Sequence, residues 1–189
     1  MRRLLLIVIM VVAPLIAWAG SYTLYEGPVI PTTGGGSGTW VYSNSHTPTS
    51  GDSTATITNT VHVGDYVVAP AGATKITKLR WAVSDGAAAR NVRICVYPST
   101  GGDSIGGGTS STPGASGGFT LIETGTLDIS IVAKTTYVIL ASVSDDLDGY
   151  YSAVNGLYSI NAYSGSACVD SITPLEDEGY GHCVGAYFE

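Results

Sequence analysis

Short segments in which β-branched and aromatic residues alternate with polar ones run through most of this sequence, separated by Gly, Pro, Asp and Ser. Residues 74–83, TKITKLRWAV, show the pattern clearly, because Leu79, Trp81 and Val83 alternate with residues that suit a solvent-facing side. After residue 19, no segment has the apolar period of an amphipathic helix. Short strands at this spacing, with no helix between them, predict an all-β fold, an antiparallel β-sandwich.

The predicted strands differ in their burial. Residues 135–143, TTYVILASV, are apolar on both faces, which predicts a central strand. In residues 91–98, Cys95 lies between Ile94 and Val96 and should point away from both of them. The predicted strands are residues 39–43, 54–63, 66–69, 74–83, 91–98, 118–124, 125–131, 135–143, 156–164 and 182–189.

The first 19 residues have the organisation of a secretory signal peptide. Arg2 and Arg3 make a positive start, residues 4–16 form an apolar run, and residues 17–19 (AWA) match the pattern before a cleavage site. An uncleaved anchor is the alternative, but the run is shorter than the roughly 20 residues of a spanning helix. The expected domain plan is a signal peptide at 1–19, an N-terminal strand and Gly-rich tether at 20–38, and a β-sandwich at 39–189. The mature chain is expected to be secreted, outside the cell or on its surface, without a membrane-spanning segment.

Charge and composition exclude some partners. The chain has 8 Lys and Arg against 15 Asp and Glu, a formal charge of -7, and only 12% of its residues are charged. A surface with so few cations repels phosphate backbones, so nucleic acid is excluded as a partner. The 44% of hydrophobic residues indicates a folded domain rather than a disordered chain.

Residues 74–148 carry a further pattern. A strand that ends in Tyr97 is followed by a Gly/Pro loop, then by the strand LIETGT, and then by a strand around Tyr137. In this order the segment resembles a jelly-roll-type β-sandwich module of bacterial and phage surface proteins. The resemblance implies a jelly-roll-like sandwich that serves as an adhesin, a sugar-binding module or a structural repeat. The matching residues are Val92, Ile94, Val96, Tyr97, Pro113, Gly114, Leu121, Ile122, Thr124, Gly125, Tyr137, Leu140 and Ala141.

The three cysteines of an exported chain are expected to meet an oxidising environment. Cys168 and Cys183 bracket an acidic segment, and a disulfide between them would stabilise the fold by roughly 2–4 kcal/mol. Cys95 would then be left over, although three cysteines allow three single pairings and all of them remain open. Because the sequence has no CxxC spacing and its three His are scattered, a zinc site is not predicted.

The sequence shows no complete set of catalytic groups. Its three His do not lie near a nucleophile motif such as GxSxG. His182 and Cys183 are adjacent, but neighbours on a strand point to opposite faces and cannot form a dyad. Glu26 and Glu123 lack the paired arrangement of a glycosidase. We therefore expect a protein that is not an enzyme and needs no cofactor.

The most acidic segment is SDDLDGYY, residues 144–151. Asp145, Asp146 and Asp148 could offer oxygen ligands to calcium, which takes six to eight of them. Asp and Gly are also the residues that a tight turn needs for its own backbone bonds. Turn chemistry is favoured over a calcium site.

Tyrosines are concentrated in the C-terminal third. Tyr150, Tyr151, Tyr158 and Tyr163 are candidates to stack on sugar rings if their faces are exposed. The alternative is that these rings fill the faces of the sheets, with their hydroxyls at the rim.

Three Asp-Ser steps resemble an O-glycosylation site known from Bacteroidota. They make Ser53, Ser104 and Ser171 the candidate acceptors, each in a predicted loop or at the edge of a strand. Glycans would also help to keep a weakly charged surface soluble.

Two Gly-rich stretches, residues 32–38 and 99–118, predict a flexible tether and a long surface loop. The tether follows a short extended piece with four candidate subunit-contact residues, Tyr22, Leu24, Val29 and Ile30. This piece either folds back into its own sandwich or is donated to the next molecule, which would build a homopolymer. The sequence therefore predicts a structural subunit of an extracellular filament. The alternative is a secreted carbohydrate-binding or adhesin domain with a Tyr-rich face.

Overall fold

The computed structural model of the protein describes residues 38–85, 88–114, 118–152, 157–160, 168, 171–172, 175–176 and 181–189. The predicted signal peptide, residues 20–37 with Tyr22, Leu24, Val29 and Ile30, and Tyr163 lie outside the described residues. Of the described residues, only Ser43–Ser45 are helical, in a short 3-10 turn. No helix in the described ranges is long and apolar enough to cross a membrane.

Strands make up nearly all of the regular structure. They are β1 (Thr39–Tyr42), β2 (Ser53–Ile57), β3 (Val61–Val68), β4 (Lys75–Asp85), β5 (Asn91–Pro98), β6 (Gly102–Asp103), β7 (Gly106–Ser111), β8 (Gly118–Glu123), β9 (Ile129–Ser130), β10 (Thr136–Val143), β11 (Leu147–Ser152), β12 (Leu157–Ile160), β13 (Ser171–Ile172), β14 (Leu175–Glu176), β15 (Gly181–His182) and β16 (Val184–Phe188).

The strands form two main antiparallel sheets. Sheet I follows the path β1-β16-β4-β11-β15, with β8 and β9 also paired to β4 and β2 paired to β11. Sheet II has the order β14-β12-β3-β10-β5-β7, and a separate pair joins β13 to β6. The central strand predicted at 135–143 is β10, which lies between β3 and β5. The predicted antiparallel β-sandwich is confirmed.

The core lies between the two sheets and is built by alternation along their strands. In sheet I, Leu79, Trp81 and Val83 of β4 are fully buried in it, as predicted, while Ala82 packs on the opposite face. In sheet II, β5 and β10 contribute every second residue to the same cluster. The sheet II members from these two strands are Val92, Ile94, Val96, Tyr137, Ile139, Ala141 and Val143.

The outer face of sheet II carries a second apolar cluster. Cys95 points out of the core, as predicted, and packs with Tyr97, Val138 and Leu140 under Ile172 of β13. The predicted Cys168–Cys183 disulfide is wrong, because Cys168 is bonded to Cys95 instead. Strand β13 begins three residues after Cys168 and pairs with β6, and its Ile172 packs on this face of the sheet.

Cys183 could not have made the predicted bond, because it is buried in the middle of sheet I. Its backbone N–H donates to the Tyr150 carbonyl at 3.0 Å, and its carbonyl accepts from the Ala82 N–H at 3.1 Å. Hydrogen bonds to strands on both sides therefore fix it far from the face that Cys168 covers.

The Gly-rich stretch 99–118, predicted as a flexible loop, contains the edge strand β7. A Cβ on Gly107 would lie 2.5 Å from the Ile94 carbonyl oxygen and 2.5 Å from the Cys168 sulfur. A Cβ on Gly108 would come within 2.9 Å of Thr124. Close packing therefore requires glycine at these two positions. The Gly-rich composition, which suggested a flexible loop, reflects this lack of space for side chains.

Several predicted bounds of strands and turns were also wrong. The segment 54–63 is divided into β2 and β3 by a turn, in which the Val61 N–H donates to the Thr58 carbonyl at 3.3 Å. The acidic segment predicted as a turn contains β11, which pairs with both β2 and β4.

Candidate binding surface on sheet I

Three aromatic rings from the two ends of the domain meet on the outer face of sheet I. Pairing of β1 with β16 places Trp40 opposite Tyr187, with their ring centroids 5.4 Å apart. Trp40 also stacks on Tyr42 at 6.1 Å, with only 19° between the ring planes. All three residues are partly exposed. We call Trp40, Tyr42 and Tyr187 the aromatic patch.

Arg80 of β4 connects the aromatic patch to a carboxylate. Its guanidinium carbon lies 3.8 Å from the centroid of the Trp40 ring, a cation–π geometry. One terminal nitrogen donates to the Tyr42 hydroxyl at 2.7 Å, and the other donates to Glu123 at 2.6 Å. Lys78 donates to the second oxygen of Glu123 at 2.7 Å. The rings are therefore held by a hydrogen-bonded support.

The electrostatics keep Glu123 ionised. Burial by itself raises the pKa of this carboxyl, but hydrogen bonds from Lys78 and Arg80, together with their positive charges, outweigh it and lower the pKa. A general acid needs the opposite shift, toward the working pH. The arrangement therefore suits a positioning role for Glu123.

The edge of sheet I lies beside the aromatic patch. In the part of the chain that the structure describes, β1 pairs with β16 on one side and ends the path through the sheet. Gly38, which precedes β1, packs so closely against Phe188 and Tyr187 that a Cβ there would clash. The predicted tether therefore joins the domain directly at this edge. An exposed strand edge offers unpaired N–H and C=O groups to another chain.

Of the four predicted glycan-stacking tyrosines, only Tyr150 and Tyr151 have described side chains, and neither is fully exposed. Tyr150 is only 7% exposed and packs edge-on against Phe119 at 5.1 Å. Tyr151 is half-buried, with its ring 6.4 Å from that of His182. Tyr158 lies on β12, and its side chain, like Tyr163, is outside what the structure describes. The prediction of sugar stacking is wrong for Tyr150, whose ring packs on the face of the sheet as in the alternative interpretation.

The predicted calcium ligands do not converge. Asp145 accepts the backbone N–H of Asp146 at 3.0 Å and lies 3.8 Å from Arg90. Asp148 accepts the Thr56 hydroxyl at 2.6 Å. Among the described residues these three carboxylates form no cluster of potential metal ligands. Asp145 makes the local backbone contact of a turn, as the sequence favoured, whereas Asp148 lies on β11 and bonds across to β2.

The candidate acceptor serines differ in exposure. Ser53 on β2 and Ser171 on β13 are exposed, whereas Ser104, between β6 and β7, is partly buried. A glycosyltransferase needs an accessible hydroxyl, so the first two are the better candidates.

Sequence reasoning missed the aromatic patch. Trp40 and Tyr187 lie at opposite ends of the sandwich domain, and no local pattern reports that β1 and β16 are neighbours. Comparison with protein-family models, with curated proteins and with solved structures finds no match for this chain.

Proposed function

We propose that this protein is a non-enzymatic structural subunit of an extracellular filament, in which each copy adds its N-terminal strand to the β1 edge of the next. The observation that carries the proposal is the position of β1. It is the end strand of sheet I within the described residues, and it continues directly from the predicted tether. The donor strand and the acceptor edge would thus be different surfaces that are close together along the chain.

The composition of the aromatic patch supports a protein contact at this edge. Trp, Tyr and Arg are the residues that most often dominate the free energy of protein interfaces. Here Trp40, Tyr42, Tyr187 and Arg80 lie together on β1 and the two strands that follow it in sheet I. A strand added beside β1 would bury part of these rings as well as pairing with the backbone.

Contacts between a donor segment and a different acceptor surface are head-to-tail. Such contacts produce open filaments unless the rotation between neighbours closes a ring. The tether at 32–38 supplies the reach between neighbouring copies, because Gly-rich chains are flexible. Glycans on Ser53 and Ser171 would be compatible with this arrangement, since both residues are exposed and neither belongs to β1 or β16.

Electron microscopy of the mature protein tests the proposal. We expect filaments from residues 20–189 and monomers when residues 20–30 are deleted. The matched control keeps the length and composition of that segment but shuffles its order, which should also prevent assembly. Monodisperse wild-type protein at high concentration would overturn the proposal, and so would filaments formed by the deletion variant.

A second test addresses the aromatic patch. Trp40→Ala should raise the critical concentration for assembly by at least about 10-fold, as expected for an interface hot spot. Val132→Ala is the control, because Val132 is the most exposed large hydrophobic residue of the described chain, at 67%, and lies outside the patch. Equal effects of the two substitutions would remove the patch from the interface.

A carbohydrate-binding or adhesin domain is the second candidate, and the same aromatic patch favours it. Partly exposed rings beside hydrogen-bonding side chains can stack on a sugar and fix its hydroxyls. A glycan array probed with the monomeric deletion variant distinguishes the two candidates. Glycan binding that is lost on Trp40→Ala would support the second candidate, whereas binding to no glycan, with intact filaments from the wild type, would support the first.

A further inference from the structure

Three side chains that the sequence separates widely come together beside the outer face of sheet I. His46 and Asp52 lie in the segment between β1 and β2, and Cys183 lies between β15 and β16. One potential ligand atom from each, a nitrogen, an oxygen and a sulfur, lies within 4.8 Å of the other two. In the described ranges, this is the only set of three such residues.

The segment that carries His46 and Asp52 is fixed by its own hydrogen bonds. Asp52 Oδ2 accepts from His46 Nε2 at 2.8 Å and from the Thr49 backbone N–H at 2.8 Å. The His46 N–H closes the 3-10 turn on the Ser43 carbonyl at 3.1 Å. At the start of that turn, the Ser43 hydroxyl donates to the His182 carbonyl at 2.9 Å, which ties the segment to the residue next to Cys183.

The third side chain lies at the base of the cluster. Cys183 is 2% exposed and packs with Ala82 and Tyr150, and its backbone is bonded on both sides as described above. It lies outside the Cys95–Cys168 disulfide and carries a thiol. The site therefore has a buried sulfur beneath a partly exposed imidazole and carboxylate.

We infer that His46, Asp52 and Cys183 form a binding site for a zinc-class divalent metal ion, with a fourth position open to water or another ligand. Imidazole nitrogen, carboxylate oxygen and thiolate sulfur are the three donor types that zinc accepts. Bond lengths of about 2.0–2.3 Å in a tetrahedral site place the ligand atoms about 3.5 Å apart. The observed cluster needs only small side-chain movements to reach that geometry.

Metal binding then follows a defined proton balance. The Cys183 sulfur loses its proton to solvent as the sulfur–metal bond forms. Nε2 of neutral His46 must offer its lone pair, so its proton moves to Nδ1 through solvent, with no net release from the ring. Binding should therefore release one proton per metal ion, and that proton comes from the Cys183 thiol.

The test is a titration of the oxidised, full-length mature protein with Co²⁺ as a spectroscopic probe and with Zn²⁺ in competition. We expect one equivalent of Co²⁺ to bind with a thiolate-to-cobalt charge-transfer band that Zn²⁺ abolishes. Cys183→Ser should remove the band and weaken Zn²⁺ binding by more than about 100-fold, because loss of an outer-shell partner alone costs 10–100-fold. Asp52→Asn should weaken it in the same direction, and Asp145→Asn is the control that should not.

A measurement on the unaltered chain guards against misfolded variants. Bound Zn²⁺ should protect Cys183 from alkylation under conditions where the metal-free protein is slowly modified. Co²⁺ binding without a charge-transfer band, Zn²⁺ affinity unchanged by Cys183→Ser, or alkylation unaffected by Zn²⁺ would each overturn the assignment. Filament formation by the Cys183→Ser variant is a separate readout and bears only on the function proposed above.

Discussion

The outer faces of the two sheets carry different kinds of side chain and differ in what packs on them. On sheet I, β4 turns Lys78 and Arg80 outward, and both are bonded to Glu123 beside the partly exposed Trp40. On sheet II, β5 turns Cys95 and Tyr97 outward, and both are fully buried under the segment that contains β13. Alternation along a strand decides which residues leave the core, and their chemistry decides whether that face needs a cover.

The difference teaches how each face is stabilised. Around β1, β16 and β4, ion pairs and a cation–π contact complete the outer face of sheet I. Trp40, Tyr42 and Tyr187 stay partly exposed there among the described residues. The segment with Cys168 and β13, which we call the cover of sheet II, is attached through very short strands. Among the described residues, β13 and β6 share only two residue pairs. We therefore expect the disulfide to hold this segment in place.

Removing that disulfide should have the largest effect. The bond joins cysteines 73 residues apart, and closing a loop of this length in the unfolded chain stabilises the fold by about 4 kcal/mol. The double variant Cys95→Ala/Cys168→Ala avoids mispairing with Cys183. We expect urea unfolding to show a loss near this size, together with binding of a hydrophobic dye to the uncovered face of sheet II.

Cys183→Ala is the control for this experiment, because it removes a thiol from sheet I and leaves the cover attached. If the double variant bound no more dye than this control, the cover would not depend on the disulfide.

Strand alternation made much of this contrast predictable. The outward direction of Cys95 followed from its neighbours Ile94 and Val96, but its partner did not, because only the pairing of β13 with β6 brings Cys168 over that face. Position along the chain favoured Cys183, which is nearer in sequence and lies in the other sheet. A contact between segments far apart in sequence leaves no local signal.

Strand β7 was missed for a related reason. Its glycines suggested a loop, whereas their cause is the close approach of Thr124 to Gly108 and of Cys168 to Gly107. The aromatic patch and the cluster of His46, Asp52 and Cys183 also join distant segments. The sequence therefore predicted the sandwich and the burial of its strands, but neither of the two candidate sites.

Acidification should weaken the fold through His62, the next largest effect. His62 of β3 is fully buried on the outer side of sheet II, and neither ring nitrogen has a hydrogen-bond partner among the described residues. Burial, together with the positive charge of Arg93, lowers its pKa from 6.5 to about 4.

Between pH 6.5 and about pH 4, His62 is therefore protonated in the unfolded chain but neutral in the folded protein. The stabilisation is complete above pH 6.5 and falls by roughly 3 kcal/mol as the pH is lowered to about 4. Urea unfolding across this range should show a shallower pH slope for His62→Gln than for the wild type. An unchanged slope would mean that His62 is accessible to protons in the folded protein. Since burial lowers the pKa of His182 to about 4 as well, part of the wild-type slope should persist in the variant.

Gly107→Ala should lower the stability of the fold by a smaller amount. The added methyl group would crowd Cys168, through which the cover is bonded to β5. The new methyl group would meet the Ile94 carbonyl oxygen and the Cys168 sulfur, both at 2.5 Å. Overpacking of this kind costs about 1–3 kcal/mol. Gly125→Ala is the matched control, since a methyl group added there would have nothing within 4 Å. Thermal unfolding should show a loss for the first variant and little change or a slight gain for the second.

The smallest effect is expected on sheet I, from Glu123→Gln. The substitution removes the negative charge shared by Lys78 and Arg80 but keeps the shape of the side chain. Because these groups are partly exposed, with 42% of the Lys78 side chain and 21% of the Arg80 side chain accessible, water and salt screen the pairs. We expect a loss of less than about 1 kcal/mol in urea unfolding, shrinking further at high salt. A loss as large as that from the disulfide variant would contradict this contrast between the two faces. It would show that the ion pairs stabilise sheet I as much as the disulfide stabilises the cover of sheet II.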